Sequence, residues 1–180
     1  MSQQTIELIS ESFDLHNIKY RTIEAENLSF IDAGFNIAGG PTVHFHFLSA
    51  NENSNDVQIR VVGLLNKVGA EKRPAILEAC NRINKEMRYY KFYIDNEDNV
   101  IAQADVPQNT LPDCIGECCF ELLARAMQIL ERCYHYFPEA YYAASPSAKS
   151  ESLLNALKEL RNNPITLPEN DGTIDRKNEE

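Results

Sequence analysis

Two histidines placed two residues apart are the first side chains in this sequence that could do chemistry. His44 and His46 flank Phe45 in a run of alternating apolar and polar residues, a period typical of a β-strand. Both imidazoles should therefore point to one face of a sheet, where such a pair could hold a transition metal. We favour the simpler interpretation, in which they line a half-exposed sheet face, and predict no metal or other cofactor.

Cysteines form the second chemically interesting group. Cys114 and Cys118 are one helical turn apart and could present two thiolates to a zinc ion. A complete zinc site needs further donors, and no CxxC or HxxxH spacing supplies them. Cys118, Cys119 and Cys133 follow the apolar stripe of the same segment, where cysteine behaves as a small hydrophobe. We therefore predict that these three pack in the core.

Asn81 and Asn84 are the most distinctive polar pair. Asn84 comes one helical turn after Cys80, so it enters the predicted buried stripe of a helix. A buried carboxamide needs hydrogen-bond partners, which the backbone of a nearby strand or loop can supply. We predict that Asn84 fixes its helix against the sheet edge. The alternative is a polar contact for a ligand in a groove.

Two groups of aromatic residues are suited to contact another protein. Large aromatic side chains bury much area with few rotatable bonds and are enriched at interfaces, although they also fill ordinary cores. The side chains predicted for a partner surface are Tyr89, Tyr90, Tyr93, Tyr141 and Tyr142.

Composition excludes several functional classes. The chain has 180 residues and a formal net charge of −10, which argues against nucleic acid or an anionic membrane as the main partner. Charges interrupt every apolar stretch before the roughly 18 residues that a membrane span needs, and no signal peptide is visible, so we expect the cytoplasm and reduced cysteines. No GxxxxGKS, GxGxxG or GxSxG motif and no nucleophile–base set appears, so we expect no enzyme.

Helical and extended segments must position these side chains. Helical periodicity indicates a first helix ending near residues 16–17, a second at 71–90, and a long third helix that Thr110 or Asp113 caps and Pro138 ends or kinks. Extended segments with a period of two lie at 20–24, 28–37, 42–50, 56–65, 91–95 and 100–106. The predicted order is helix, three strands, helix, two strands, long helix. This is an α+β class, with helices on one face of an antiparallel sheet and the other face free.

The chain divides into three predicted parts. Residues 1–143 form the α+β domain, and residues 144–162 form a linker with an appended amphipathic helix marked by Leu153 to Leu160. Residues 163–180 have few apolar side chains and many charges, so we predict a disordered acidic tail.

Two segments and the elements after them carry a likeness to a known family. They are ILEACNRIN at residues 76–84 and YKFYID at 90–95, followed by an acidic turn, a strand ending Asp105-Val106-Pro107, and a helix ending Tyr136-Phe137-Pro138. Over about residues 6–142 the chain resembles the YbjN family of bacterial sensory transduction regulators. The resemblance implies the fold of the type III secretion chaperones, a twisted antiparallel sheet against a helical layer, usually dimeric, and no catalytic residues.

These observations lead to one functional hypothesis and one alternative. We expect a non-catalytic cytoplasmic protein-binding module, a regulator or chaperone-like homodimer that binds a segment of another protein. The alternative is a small-molecule or metal-ion sensor that uses the His44/His46 face or Cys114 and Cys118.

Overall fold

Four helices and six strands make up the part of the chain that the computed structural model describes, residues 3–25, 28–49, 56–106 and 110–143. The helices are α1 (Gln3–Leu15), α2 (Arg73–Glu86), α3 (Pro112–Cys133) and α4 (Tyr136–Ala143). The strands are β1 (Arg21–Ala25), β2 (Leu28–Asn36), β3 (Thr42–Leu48), β4 (Val57–Leu65), β5 (Lys91–Ile94) and β6 (Val100–Val106). They form one antiparallel sheet in the order β1-β2-β3-β4-β6-β5, which confirms the α+β class.

Four strands, not the predicted three, precede α2. All four extended segments in that part of the sequence enter the sheet, because β1 pairs along its whole length with the first part of β2, from Arg21 opposite Asp32 to Ala25 opposite Leu28. β1 is short and lies at the sheet edge, where the apolar alternation that identifies a half-buried strand is weak.

The core lies between one face of the sheet and the helices. Val43, Phe45 and Phe47 of β3 have no solvent exposure, as their alternation with His44 and His46 predicts. The ring of Phe13 in α1 meets Phe47 edge to face at 5.1 Å between centroids. At the other end of the sheet the rings of Phe92 and Phe137 are 6.0 Å apart. The helical layer therefore seals the face that carries the three apolar side chains of β3.

A bulge in β4 changes which of its residues face the core. The register with β6 shifts between Val61 and Leu65, where Gly63 has a φ of 88°. A Cβ atom on Gly63 would lie 3.0 Å from the carbonyl oxygen of Thr42, so the close approach of β3 also requires glycine. After the bulge Leu64 rather than Gly63 is buried.

The long helix departs from prediction at both ends. Its N-cap is Leu111, whose apolar side chain cannot cap the helix, and Pro112 occupies the first turn. The caps predicted at Thr110 or Asp113 are wrong. It ends at Cys133, and Pro138 belongs to the separate helix α4.

Not every apolar side chain of the helices is buried. Leu77 of α2 is 40% exposed, because α2 buries the face made by Ile76, Ala79, Cys80 and Ile83. Cys118, predicted to pack in the core, is only half-buried at its margin. Leu122 of α3, and Tyr134 just after that helix, are half-buried in the same way.

The predictions for residues 144–162 and 163–180 fall outside the described residues. Within the described ranges, no helix combines the length and the apolar character that crossing a membrane would require.

Candidate functional site

The face of the sheet opposite the helices is here called the outer sheet face. Strand alternation and register place its side chains, because residues paired across neighbouring strands point to the same side. Its members are Arg21, Ile23, Phe30, Asp32, Gly34, Asn36, Thr42, His44, His46, Leu48, Gln58, Arg60, Val62, Ile101, Gln103, Asp105, Lys91 and Tyr93. Most of these side chains are half-exposed or exposed, in contrast to the sealed opposite face.

Asp32 and Ile101 are the buried members of this face, and Asp32 is a carboxylate that is only 3% exposed. It lies directly opposite His46 in the β2–β3 register, and Gly34 lies opposite His44. One carboxylate oxygen, Oδ1, is 2.9 Å from Nδ1 of His44 and 3.6 Å from Nε2 of His46. The other oxygen, Oδ2, accepts a hydrogen bond of 2.7 Å from Nε of Arg21. The outer sheet face thus brings two imidazoles, a guanidinium and a carboxylate together.

These contacts set the protonation of the group. Burial by itself raises the pKa of the Asp32 carboxyl, but hydrogen bonds from His44 and Arg21, with the charges of both histidines, hold it below its usual range. Burial lowers the pKa of His46, and the charge of Asp32 only partly opposes that effect. Asp32 is therefore ionised and His46 is neutral near neutral pH.

A cleft of about 250 Å³ adjoins this group on its β4 and β6 side. Arg60 lies in it, and its Nε is buried with no hydrogen-bond partner among the described residues. The cleft is also lined by the apolar side chains of Leu48, Val62 and Ile101 and by the carboxylates of Asp95 and Glu97. A buried donor without an acceptor is costly, so a small movement of the Arg60 side chain that let this nitrogen bond to an oxygen of a bound molecule would relieve that cost.

The outer sheet face carries charges of both signs. Arg21, Arg60 and Lys91 are cationic, and Asp32 and Asp105 are carboxylates. The cleft beside Arg60 adds the carboxylates of Asp95 and Glu97.

The asparagine pair separates into two different environments. Asn84 is half-buried; its Nδ2 donates to the backbone oxygen of Phe92 at 2.9 Å, and its Oδ1 accepts from the Phe92 N–H at 2.8 Å. Asn81 is exposed on α2. The structure therefore places Asn84 between α2 and β5, and not in a ligand groove.

The five tyrosines predicted for a partner surface do not form one patch. Tyr90 is 1% exposed and belongs to the core, so its assignment to a surface is wrong. Tyr93 is on the outer sheet face, where its hydroxyl donates to Oε1 of Gln103 at 2.8 Å. Tyr89 is 51% exposed beside the guanidinium of Arg125. Tyr141 and Tyr142 are on α4, away from the sheet, and their rings contact each other edge to face.

The cysteines are free thiols in several environments. Cys119 and Cys133 are buried, as predicted, whereas Cys118 is half-buried and Cys114 is exposed. The pKa of the Cys118 thiol is raised by burial and by neighbouring acidic groups, including Cys114. Within the described ranges, Cys114 and Cys118 have no third metal donor close enough to complete a cluster; Asp32, His44 and His46 form the one such group.

Asp32 and Arg60 are the site residues that sequence reasoning missed. Aspartate is uncommon inside strands, and Asp32 alternates with the apolar Ile31 and Ala33 in a segment predicted to be extended. That pattern was the available signal for a functional carboxylate. The sequence pattern did not show which side chains of a neighbouring strand lie beside Asp32.

Comparison with known proteins agrees with the sequence resemblance over the sheet. A family model described as "YbjN: Putative bacterial sensory transduction regulator" matches residues 5–114, which include all six strands and the whole of α2. The match ends before most of α3, short of the residue 142 that the resemblance suggested. No curated protein matches this chain. Because the match extends over more than half of the sequence, the chain belongs to the YbjN family.

Proposed function

We propose that this protein is a non-catalytic regulatory module that binds an extended segment of another protein on its outer sheet face. The observation that carries the proposal is the Nε of Arg60, which is buried and has no acceptor within the described part of the chain. A carboxylate or backbone carbonyl of a bound segment would supply that acceptor and remove the cost of an unpaired buried donor.

The surroundings of Arg60 favour a polypeptide over a small anion. Leu48, Val62 and Ile101 line the same cleft of about 250 Å³, which can accept an apolar side chain. The carboxylates of Asp95 and Glu97 also line it and disfavour a small free anion.

Family membership supports the coarser part of this proposal. The matching family is described as a regulator of sensory transduction. We further propose, from the sequence and from the resemblance, that the protein acts in the cytoplasm and forms a homodimer. Light scattering on the purified chain tests the dimer, and a mass of one chain would contradict it.

The partner site can be tested by placing a photo-crosslinking amino acid at Gln103, which pairs with Arg60 across β4 and β6. The full-length chain is expressed in its own host and irradiated, and mass spectrometry locates the attached residue in the partner. The matched control carries the same amino acid at Glu121, an exposed position on α3. We expect one adduct from position 103, confined to a single segment of the partner, and none from position 121.

Charge and geometry at Arg60 provide the second arm of the test. Arg60→Gln keeps a long polar side chain but removes the guanidinium, so the yield of the adduct should fall about tenfold. Absence of an adduct at position 103, or an adduct that is insensitive to Arg60→Gln, would reject the proposal. An adduct with a second copy of this chain would instead assign the outer sheet face to the homodimer.

A further inference from the structure

Three ligand-type side chains converge on the outer sheet face from two neighbouring strands. We propose that Asp32, His44 and His46 bind a divalent transition-metal ion of the zinc class. The donor atoms are Oδ1 of Asp32, Nδ1 of His44 and Nε2 of His46, and all three lie within 4.8 Å of one another. This site goes beyond the proposed protein-binding function and does not depend on a protein partner.

The two separations between Asp32 and the histidine nitrogens are close to those that a bound ion requires, and the two histidine nitrogens lie within 4.8 Å of each other. Bond lengths of about 2.0–2.1 Å to nitrogen and oxygen in a tetrahedral site put neighbouring donor atoms about 3.3 Å apart. Oδ1 of Asp32 is 2.9 Å from the His44 nitrogen and 3.6 Å from the His46 nitrogen. Small side-chain rotations would therefore bring the three donors to coordination geometry without a change in the backbone.

Arg21 holds the carboxylate in the orientation that the site needs. Its Nε bonds to Oδ2 of Asp32 at 2.7 Å, which leaves Oδ1 directed at both imidazoles. Outer hydrogen bonds of this kind orient metal ligands and are a regular part of metal sites. Asp32 itself is 3% exposed, so its position is fixed by packing as well as by Arg21.

Gly34 provides room for the ring of His44. A Cβ atom at position 34 would lie in ordinary contact with His44, 3.4 Å from Cε1 and 3.6 Å from Nδ1, so a branched side chain there would crowd the ring. Glycine weakens a strand interior and often marks a place where another group approaches closely. Here the approaching group is a proposed ligand.

The donor set indicates the class of ion. Two imidazoles and one carboxylate suit zinc, cobalt, nickel, copper or iron(II), whereas magnesium and calcium prefer oxygen donors alone. Three protein donors leave at least one position for water or for a ligand from another molecule. The geometry therefore points to an exchangeable site with an open position.

Cobalt(II) is a suitable probe because its visible spectrum reports the donor atoms. The full-length chain, purified without a polyhistidine tag and freed of metal with a chelator, is titrated with Co²⁺ and then with Zn²⁺. We expect one equivalent of Co²⁺ with the spectrum of nitrogen and oxygen donors, displaced by Zn²⁺ and unaffected by excess Mg²⁺. His44→Asn and His46→Asn should each weaken binding at least about tenfold.

Matched variants separate this site from other donors. His135→Asn removes an exposed histidine on the helical side and should bind Co²⁺ as the unmodified chain does. A Cys114→Ser, Cys118→Ser double variant should also bind normally. Gly34→Val keeps every donor but crowds His44, so it should weaken binding while leaving the circular dichroism spectrum of the sheet unchanged.

Several results would overturn the proposal. The first is that the chain binds no Co²⁺ at all, and the second is that Mg²⁺ competes with Co²⁺ for the site. The third is an affinity for Co²⁺ that is unchanged in both His44→Asn and His46→Asn. The last is a Co²⁺ spectrum with a thiolate charge-transfer band that is lost in the double cysteine variant. Asp32→Asn is measured alongside a thermal melt. If that variant does not fold, the two histidine variants decide, because both histidines are partly exposed.

Discussion

Asn84 pairs with Phe92 in the way that a further strand would. The carboxamide accepts from the Phe92 N–H at 2.8 Å and donates to the Phe92 carbonyl at 2.9 Å. β5 is the last strand of the sheet, and an edge strand with unpaired backbone groups is a template for another chain. Asn84 therefore blocks strand addition at the middle of β5. This favours the outer sheet face over this edge as the place where a partner binds.

Asn84→Ala should destabilise the fold by about 2–3 kcal/mol, because two hydrogen bonds are lost and two part-buried backbone groups of Phe92 remain unpaired. Urea unfolding followed by circular dichroism measures the change. Asn81→Ala, on the exposed side of the same helix, is the control and should change the free energy of unfolding by less than about 0.5 kcal/mol. Equal effects at the two positions would contradict the structural role of Asn84.

Gly116→Ala should be destabilising although alanine is the better helix former. A Cβ atom at position 116 would overlap the carbonyl oxygen of Leu8 and lie 2.8 Å from Cβ of Ser12, where α3 packs against α1. The gain in helix propensity is about 1 kcal/mol, and overpacking of a tight contact costs about 1–3 kcal/mol or more. We expect a net loss of about 1–2 kcal/mol in thermal or urea unfolding, against almost none for Glu121→Ala on the exposed face of α3. A more stable Gly116→Ala variant would contradict this expectation, because it would show that α1 and α3 can move apart enough to accommodate the methyl group.

Stability should fall in acid partly through Glu117, which links α3 to α1. Hydrogen bonds from Ser12 at 2.8 Å and from His16 at 3.2 Å lower the pKa of Glu117 below its usual range. A carboxyl with a lowered pKa in the folded state contributes stability above its unfolded value, about 4.3, and loses it as pH falls through the folded value.

The difference in free energy of unfolding between the unmodified chain and Glu117→Gln should therefore shrink as pH is lowered from about 6 to about 3. Urea unfolding at a series of pH values measures it. Glu121→Gln is the control, since Glu121 only forms an exposed i,i+4 pair with Arg125 at 3.2 Å. A difference for Glu117→Gln that stays constant with pH would contradict this role.

Local patterns predicted much of the sheet but not the end of the long helix. The alternation in β3 is readable because one face is buried and the other is not. The boundary at Cys133 is not readable, since the apolar spacing continues through Tyr134 to Phe137 across the short turn between α3 and α4. The helical spacing of apolar residues continues through such a turn when the helices on both sides pack on the same core.

Only part of the candidate site could be predicted from the sequence, because strand alternation is local whereas strand pairing is not. The spacing of His44 and His46 is enough to place them on one face, because strand alternation is local. Asp32 reaches them only through the register of β2 with β3, which pairs it with His46. A shift of one residue in that register would put the carboxylate on the other face, and a single sequence does not fix the register. The unpaired Nε of Arg60 depends in the same way on tertiary packing.

Tyr90→Phe should stabilise the protein. Tyr90 is 1% exposed, and its hydroxyl has no hydrogen-bond partner among the residues that the structure describes. Removing an unpaired buried hydroxyl while keeping the ring should raise the free energy of unfolding by about 1 kcal/mol. Tyr93→Phe is the matched control, because the Tyr93 hydroxyl donates to Gln103 at 2.8 Å and its loss should cost up to about 1 kcal/mol. The two substitutions should thus shift the urea midpoint in opposite directions. If Tyr90→Phe instead lost as much stability as Tyr93→Phe, the buried hydroxyl of Tyr90 would have a hydrogen-bond partner.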